Sequence, residues 1–303
     1  MLRMRVLRTP AERFTDLPGF AYRPHFADVG DDLRMAYVED GPVDGEPVLL
    51  LHGEPTWSFL YRKVMPVLAA AGLRAIAPDL VGFGRSDKPV DLADHTYARH
   101  VAWVRALAFE ALDLTGVTLV GQDWGGLIGL RLVAEQPQRF TRIVAANTGL
   151  PTGAQQMPDV WLRFREAVRT APMLDISRLV GAGCRTNLAA EVLAAYDAPF
   201  PDESFKAGPR AMPGLVPTSL DDPASAANIA AWQRLTELDI PFLVAFSDGD
   251  PITGPMAPVL RSAMPGAANV AHPTIAGAGH FLQEDAGEQL AAAIVTFVRD
   301  HRG

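Results

Sequence analysis

Val117-Thr-Leu-Val-Gly-Gln-Asp-Trp-Gly-Gly126 is the stretch that decides how this chain is read. A short β-branched and aliphatic run, the composition of a buried strand, leads into a turn that carries one reactive side chain, Asp123. Leu127, Ile128, Leu130, Leu132 and Val133 follow at helical spacing, so the segment predicts a strand, a sharp turn and a helix. Small residues flank the turn because the crowded backbone leaves no space for a Cβ beside it. Asp123 is ionised at neutral pH without help from a base. When a carboxylate attacks carbon it makes an ester, and its natural target is a saturated carbon with a leaving group. The bland alternative is a turn aspartate that bonds its own backbone.

Outward from this stretch, the chain alternates strands and helices. Pro47–Leu51 is a continuous apolar run and reads as a second central strand, ending in His52-Gly-Glu-Pro55. Trp57, Leu60, Val64 and Val67 fall at helical spacing. Arg74–Asp79 is a further strand, closing in the turn-rich loop Gly82–Pro89. Tyr97–Leu114 reads as an amphipathic helix and Arg142–Asn147 as a strand. Ahead of these, His25–Val29 and Leu33–Val38 alternate like a half-exposed hairpin, preceded by an irregular arm to about residue 24. From about Pro151 to Leu238 strand patterns vanish, and prolines at 158, 172, 199, 201, 209, 213, 217 and 223 break short helical segments. Strands resume at Pro241–Phe246 and Asn269–Ala276, and an amphipathic helix carrying Leu290, Ala293, Ile294, Phe297 and Val298 closes the chain. The expectation is a mostly parallel sheet flanked by helices, formed by residues 1–150 and 239–303, with an all-helical cap inserted over residues 151–238.

Composition removes several functions. The 303 residues carry a net charge of −8, against the basic patch that a nucleic-acid or anionic-membrane partner requires. No apolar run reaches membrane-spanning length, and the basic N-terminus lacks the apolar core of a secretory signal. With Cys184 as the one cysteine, an intrachain disulfide and a cysteine-based metal cluster are excluded. The expectation is a soluble, cytoplasmic protein with no metal and no organic cofactor; Gly82-Phe-Gly-Arg85 is too short to cradle a phosphate.

Three reactive groups stand just past the ends of three strands: Asp123, Asp250 and His280. Open parallel sheets bind ligands at that edge, and the order nucleophile, acid, histidine resembles that of the α/β-hydrolase fold. Asp123 is read as the nucleophile. His280, set between Gly279 and a helix, is read as the general base for water, oriented by Asp250. Asp248 is the rival acid, and Pro251 favours Asp250 by stiffening its backbone. Of the other histidines, His52 is expected to shape its own turn. The oxyanion formed when water attacks the ester needs donors; in this fold they are the backbone N–H groups of Trp124 and Glu54.

Five motifs carry a closer resemblance. His52-Gly-Glu-Pro-Thr-Trp-Ser-Phe-Leu-Tyr-Arg62, Pro78-Asp-Leu-Val-Gly-Phe-Gly-Arg-Ser-Asp-Lys-Pro89, Gln122-Asp-Trp-Gly-Gly126, Tyr196-Asp-Ala-Pro-Phe-Pro-Asp202 and Gly279-His-Phe-Leu-Gln-Glu284 together resemble haloalkane dehalogenases over nearly the whole chain. The first two are shared by several hydrolases of the fold, whereas Asp followed by Trp at the turn is more selective. The acid after Pro241–Phe246, with Asn147 after the earlier strand, resembles the subfamily whose acid sits late in the chain. The resemblance implies hydrolysis of a small apolar halogenated substrate by water to an alcohol and a halide. It also implies two halide donors: Trp124 and a cap tryptophan, for which Trp161 is the best positional match. Indole N–H is a neutral donor on an apolar body, which suits an anion that must later leave. Trp161, Phe164 and Val168 share a helical face and could instead only pack; Trp232 and Trp57 are the alternative donors. Phe164, Pro213, Val216, Ile252 and Phe281 are candidate pocket lining.

Rival readings remain at this stage. An epoxide hydrolase shares the aspartate attack but uses two cap tyrosines, and the segment 151–238 has one, Tyr196. A haloacetate dehalogenase would need arginines for the substrate carboxylate, and Arg163, Arg165, Arg169, Arg178, Arg185, Arg210 and Arg234 are available. A serine esterase would need another residue at the turn. A non-catalytic ligand-binding member of the fold is the reading from a different class.

Overall fold

The structure, a computed structural model, describes residues 4–302. Its centre is a seven-stranded sheet of β1 (His25–Asp28), β2 (Arg34–Asp40), β3 (Glu46–Leu51), β4 (Leu73–Pro78), β5 (Val117–Gln122), β6 (Phe140–Ala146) and β7 (Phe242–Val244). The spatial order is β1-β2-β4-β3-β5-β6-β7. β1 and β2 form the expected hairpin, β2 joins β4 antiparallel, and every later pairing is parallel. Every residue of β5 is buried, as are Val48–Leu51 of β3. A strand covered on both faces has no solvent side to alternate with, hence the unbroken apolar runs.

Helices fill the connections: α1 (Met65–Ala70), α2 (Tyr97–Arg105), α3 (Trp124–Glu135), α4 (Asp159–Thr170), α5 (Ile176–Gly183), α6 (Ala190–Asp197), α7 (Ala207–Leu215), α8 (Ser225–Leu235), α9 (Met256–Ala263) and α10 (Leu282–Asp300). Five of them, α4 to α8, fall between β6 and β7 in the chain. Trp124–Val133 of α3 is buried throughout, wedged among β5, α2 and α8. Among the described residues, no helix is long and apolar enough to cross a membrane.

Three expected elements differ. The helix expected from Tyr97 to Leu114 is α2 followed by a π-helical stretch, Ala106–Ala111. The helical spacing after Trp57 resolves into a 3-10 turn, Ser58–Tyr61, ahead of α1. The strand expected over Asn269–Ala276 is reduced to one parallel bridge between Ile275 and Ser247. The physical reason lies at the edge of β7, where the Val244 N–H donates to His272 Nδ1 at 3.2 Å. A side chain thus takes the bond that a neighbouring strand would make, and Pro273 offers no N–H to extend a ladder.

The elbow is where sequence constrains the fold most tightly. Asp123 sits at φ 49°, ψ −125°, a region that costs a non-glycine residue energy. Its neighbours hold it there: its N–H donates to Asn147 O at 3.0 Å, and its carbonyl accepts from Gly126 N, Leu127 N and Thr148 Oγ1. A Cβ on Gly125 would land on the Leu51 carbonyl oxygen, and one on Gly121 would meet the Gly126 backbone. These obstacles are backbone atoms and cannot rotate away. Gly125→Ala is therefore expected to cost about 3 kcal/mol of stability, read as a lower urea midpoint with unchanged slope; an unchanged midpoint would show that the elbow can relax.

Candidate active site

Registry brings the strand ends together. Leu51 is level with Gly121, and Gly121 with Ala145, so the residues just past β3, β5 and β6 leave the sheet at one edge. Asn147, past β6, ties this edge to the histidine loop. Its Nδ2 donates to Ser247 Oγ, Gly279 O and His280 O, and its Oδ1 accepts from Ser247 N. The C-terminal end of α5 anchors the same loop, since His280 N donates to Gly183 O at 2.8 Å.

Within this frame, Asp123, His280 and Asp250 meet. His280 Nε2 lies 3.6 Å from Asp123 Oδ2, and His280 Nδ1 lies 2.9 Å from Asp250 Oδ2. The Glu54 N–H donates to the other Asp123 oxygen, Oδ1, at 2.9 Å. The two carboxylate oxygens are therefore distinct: one is held by a backbone donor, the other faces the imidazole. Asp250 is buried, accepting from Ile252 N at 2.8 Å and from Thr253 Oγ1. Burial opposes its charge, yet His280 and these donors win and lower its pKa. The rival, Asp248, is 40% exposed and turned to Gly277 N and Arg185.

Burial by itself would push the His280 pKa down. Asp250 on one ring nitrogen and Asp123 on the other outweigh it and raise the value to about 10. A third group, which the sequence pattern did not single out, faces the same ring. Gln122 Nε2 lies 3.2 Å from His280 Nε2 and donates to His280 O at 3.3 Å. The carbonyl fixes which end of the amide points inward, so an N–H approaches Nε2 and favours the neutral ring with its proton on Nδ1. A polar residue at the end of an otherwise apolar strand was the available signal. The Glu54 side chain is buried too. Desolvation and the nearby Asp123 raise its pKa well above the usual carboxylate value, which disfavours a second negative charge beside Asp123.

Asp123 and His280 open on a cavity of about 590 Å³. α4 contributes Trp161 and Phe164, α5 ends on it at Leu179–Gly183, and all five candidate lining residues, Phe164, Pro213, Val216, Ile252 and Phe281, are in its wall. Trp124 and Trp161 are there too, both largely buried. Among the described residues, neither indole N–H has a hydrogen-bond partner, whereas Trp57 Nε1 is spent on Ala195 O at 3.1 Å. Trp232 is outside the wall. His52 does shape its turn, with Nδ1 on Gly53 O and Nε2 accepting from Leu80 N, each at 2.9 Å.

Tyr196 is not in the cavity wall. Its hydroxyl donates to Glu284, whose carboxylate also takes Arg62. Three of the quoted motifs thus meet in one buried network, which ties α6 to the helix after His280.

Residues 46–287 match the family described as alpha/beta hydrolase fold. The chain is 49% identical over 302 residues to a haloalkane dehalogenase of Psychrobacter cryohalolentis, covering 98% of this chain and 99% of that one. It is 50% identical over 298 residues to a haloalkane dehalogenase of Mycobacterium marinum, covering 97% and 100%. Among solved structures, the tetrameric haloalkane dehalogenase DpaA from Paraglaciecola agarilytica NO2 superposes with a TM-score of 0.87 at 35% identity, over 95% of this chain and 97% of that one. The chain belongs to the haloalkane dehalogenases of the α/β-hydrolase fold and is a hydrolase acting on carbon–halide bonds.

Proposed function

We propose that Asp123 Oδ2 attacks the halogen-bearing carbon of a haloalkane, forming an alkyl ester as the carbon–halogen bond breaks and the halide leaves. The supporting observation is the placement of that oxygen: it faces His280 at a mostly apolar cavity, while Oδ1 is held by Glu54 N–H. The two unpartnered indole N–H groups of Trp124 and Trp161 receive the departing halide. A donor to an anion in such a site is worth roughly 1.5–3 kcal/mol. Water, deprotonated by His280, then attacks the ester carbonyl carbon. The resulting oxyanion, on Oδ1, is held by the backbone N–H groups of Glu54 and Trp124. Collapse breaks the bond between Cγ and Oδ2, His280 returns its proton to Oδ2, and the alcohol leaves with that oxygen. The segment 151–238, with α4 to α8, acts as the cap that closes the cavity.

The electrostatics supply the timing. In the free enzyme both carboxylates favour protonated His280, and a protonated ring cannot take a proton from water. Esterification removes the Asp123 charge, so the His280 pKa falls and the base is released when it is needed. Asp123→Asn mimics that loss. In this variant, His280 is expected to titrate below the wild-type value of about 10, as read by histidine NMR; an equal or higher value contradicts this account.

A halide-release assay tests the proposal. Bromide should appear from 1-bromobutane and 1,2-dibromoethane, with no diol from a terminal epoxide and little fluoride from fluoroacetate. Among the described residues no tyrosine lines the cavity, which weighs against the epoxide reaction, and of the seven arginines in 151–238 only Arg185 reaches the wall. Turnover of the epoxide with no halide release from either bromoalkane would overturn the proposal.

A further inference from the structure

Among the described residues, Arg185 is the one arginine or lysine in the cavity wall, and it is held there from behind. Its N–H and that of Thr186 donate to the two oxygens of Asp285, each at 2.8 Å, and Asp285 also accepts from Gly279 N beside His280. From this anchor the side chain crosses the face of Gly249, where a Cβ would strike its Nε. It ends 3.5 Å from Asp248 Oδ1, with the two side chains 50% and 40% exposed. Arg185 thus lines the cavity and meets solvent, which places it at the rim. Asp248, in turn, is positioned by the Gly277 N–H at 3.0 Å.

A guanidinium at the rim of an apolar cavity is a natural receiver for a carboxylate, which it can bind with two parallel N–H bonds. Asp248 already pairs with it, through one contact at 3.5 Å. A substrate carboxylate entering here must share the guanidinium with a like charge, and like charges in one site repel. An uncharged haloalkane meets no such cost. We propose that Asp248 and Arg185 form a charge filter on substrate class: the pair admits neutral haloalkanes, and Asp248 denies Arg185 to the carboxylate of an ω-halogenated alkanoate. Asp248, the acid left outside the triad, sets specificity. This rests on the haloalkane reading above, whose own failure would show separately as no bromide release from 1-bromohexane by the wild-type enzyme.

The test compares kcat/KM for 1-bromohexane with that for 4-bromobutanoate, 6-bromohexanoate and 8-bromooctanoate. Wild type should strongly prefer 1-bromohexane. Asp248→Asn keeps an oxygen for Gly277 N–H and should leave 1-bromohexane within about twofold. It should raise kcat/KM for at least one bromoalkanoate by about fivefold, the upper value for a half-exposed ion pair. Arg185→Gln, with Asp248 left unpaired, should move the bromoalkanoates the opposite way. The double variant should lose the gain. No gain in Asp248→Asn overturns the filter, as does an equal gain in the Arg185→Gln background. A 1-bromohexane rate that changes in step with the bromoalkanoate rate also overturns it, because the effect would then be structural.

Discussion

Incubation of a His280→Gln variant with 1,2-dibromoethane is expected to leave a bromoethyl group on Asp123, detected by mass spectrometry of the peptide that carries it. On the proposed mechanism a carboxylate nucleophile needs no base to activate it, so esterification and the first release of bromide should survive the substitution. Hydrolysis does not survive, because the glutamine amide takes no proton from water. Turnover should fall by on the order of 10²–10⁴-fold, the usual loss on removing a general base, while a stoichiometric burst of bromide remains. Asp250 retains Ile252 N and Thr253 Oγ1 as donors, so its charge is not stranded and the loop has reason to hold. Retained turnover with an unmodified Asp123 would remove His280 from the reaction.

Replacing Trp161 with Phe should slow the burst and spare the hydrolysis step. The substitution preserves most of the apolar body and deletes one N–H that has no hydrogen-bond partner among the described residues. If that N–H serves the departing halide, its loss costs roughly 1.5–3 kcal/mol in the alkylation step, about tenfold to 150-fold in rate. Bromide should also bind the free variant more weakly. Hydrolysis of preformed ester should change little, because the halide has been made by then. A large fall in thermal stability with an unchanged burst would assign Trp161 to packing, the alternative its helical spacing allowed.

The difference between what the sequence shows and what it hides tracks the range of the interactions. The elbow was legible because its parts are neighbours in the chain: an apolar strand, the glycines that prevent backbone collision, and a helix-period run. Cross-chain groups were partly legible as motifs, but their physical roles were not. Arg62, Tyr196 and Glu284 fall in three separate motifs, and only the fold shows them sharing one carboxylate. Asp248 and Asp250 are two residues apart with identical side chains. What separates them is the direction each faces, towards Arg185 and Gly277 or towards His280. Gln122 was hidden for a similar reason, since strand position shows that it is buried without showing what it meets. The edge of the sheet misled because β-branched composition cannot reveal that His272 would serve in place of a strand.

Running one turnover in H₂¹⁸O with enzyme in excess over 1-bromobutane tests the central claim most directly. An ester on Asp123 requires that the alcohol depart with an oxygen from the protein. The first-turnover alcohol should therefore contain ¹⁶O, and the label should appear in the Asp123 carboxylate. Label in the alcohol, with none in the protein, would mean that water attacked the substrate itself and that no ester had formed.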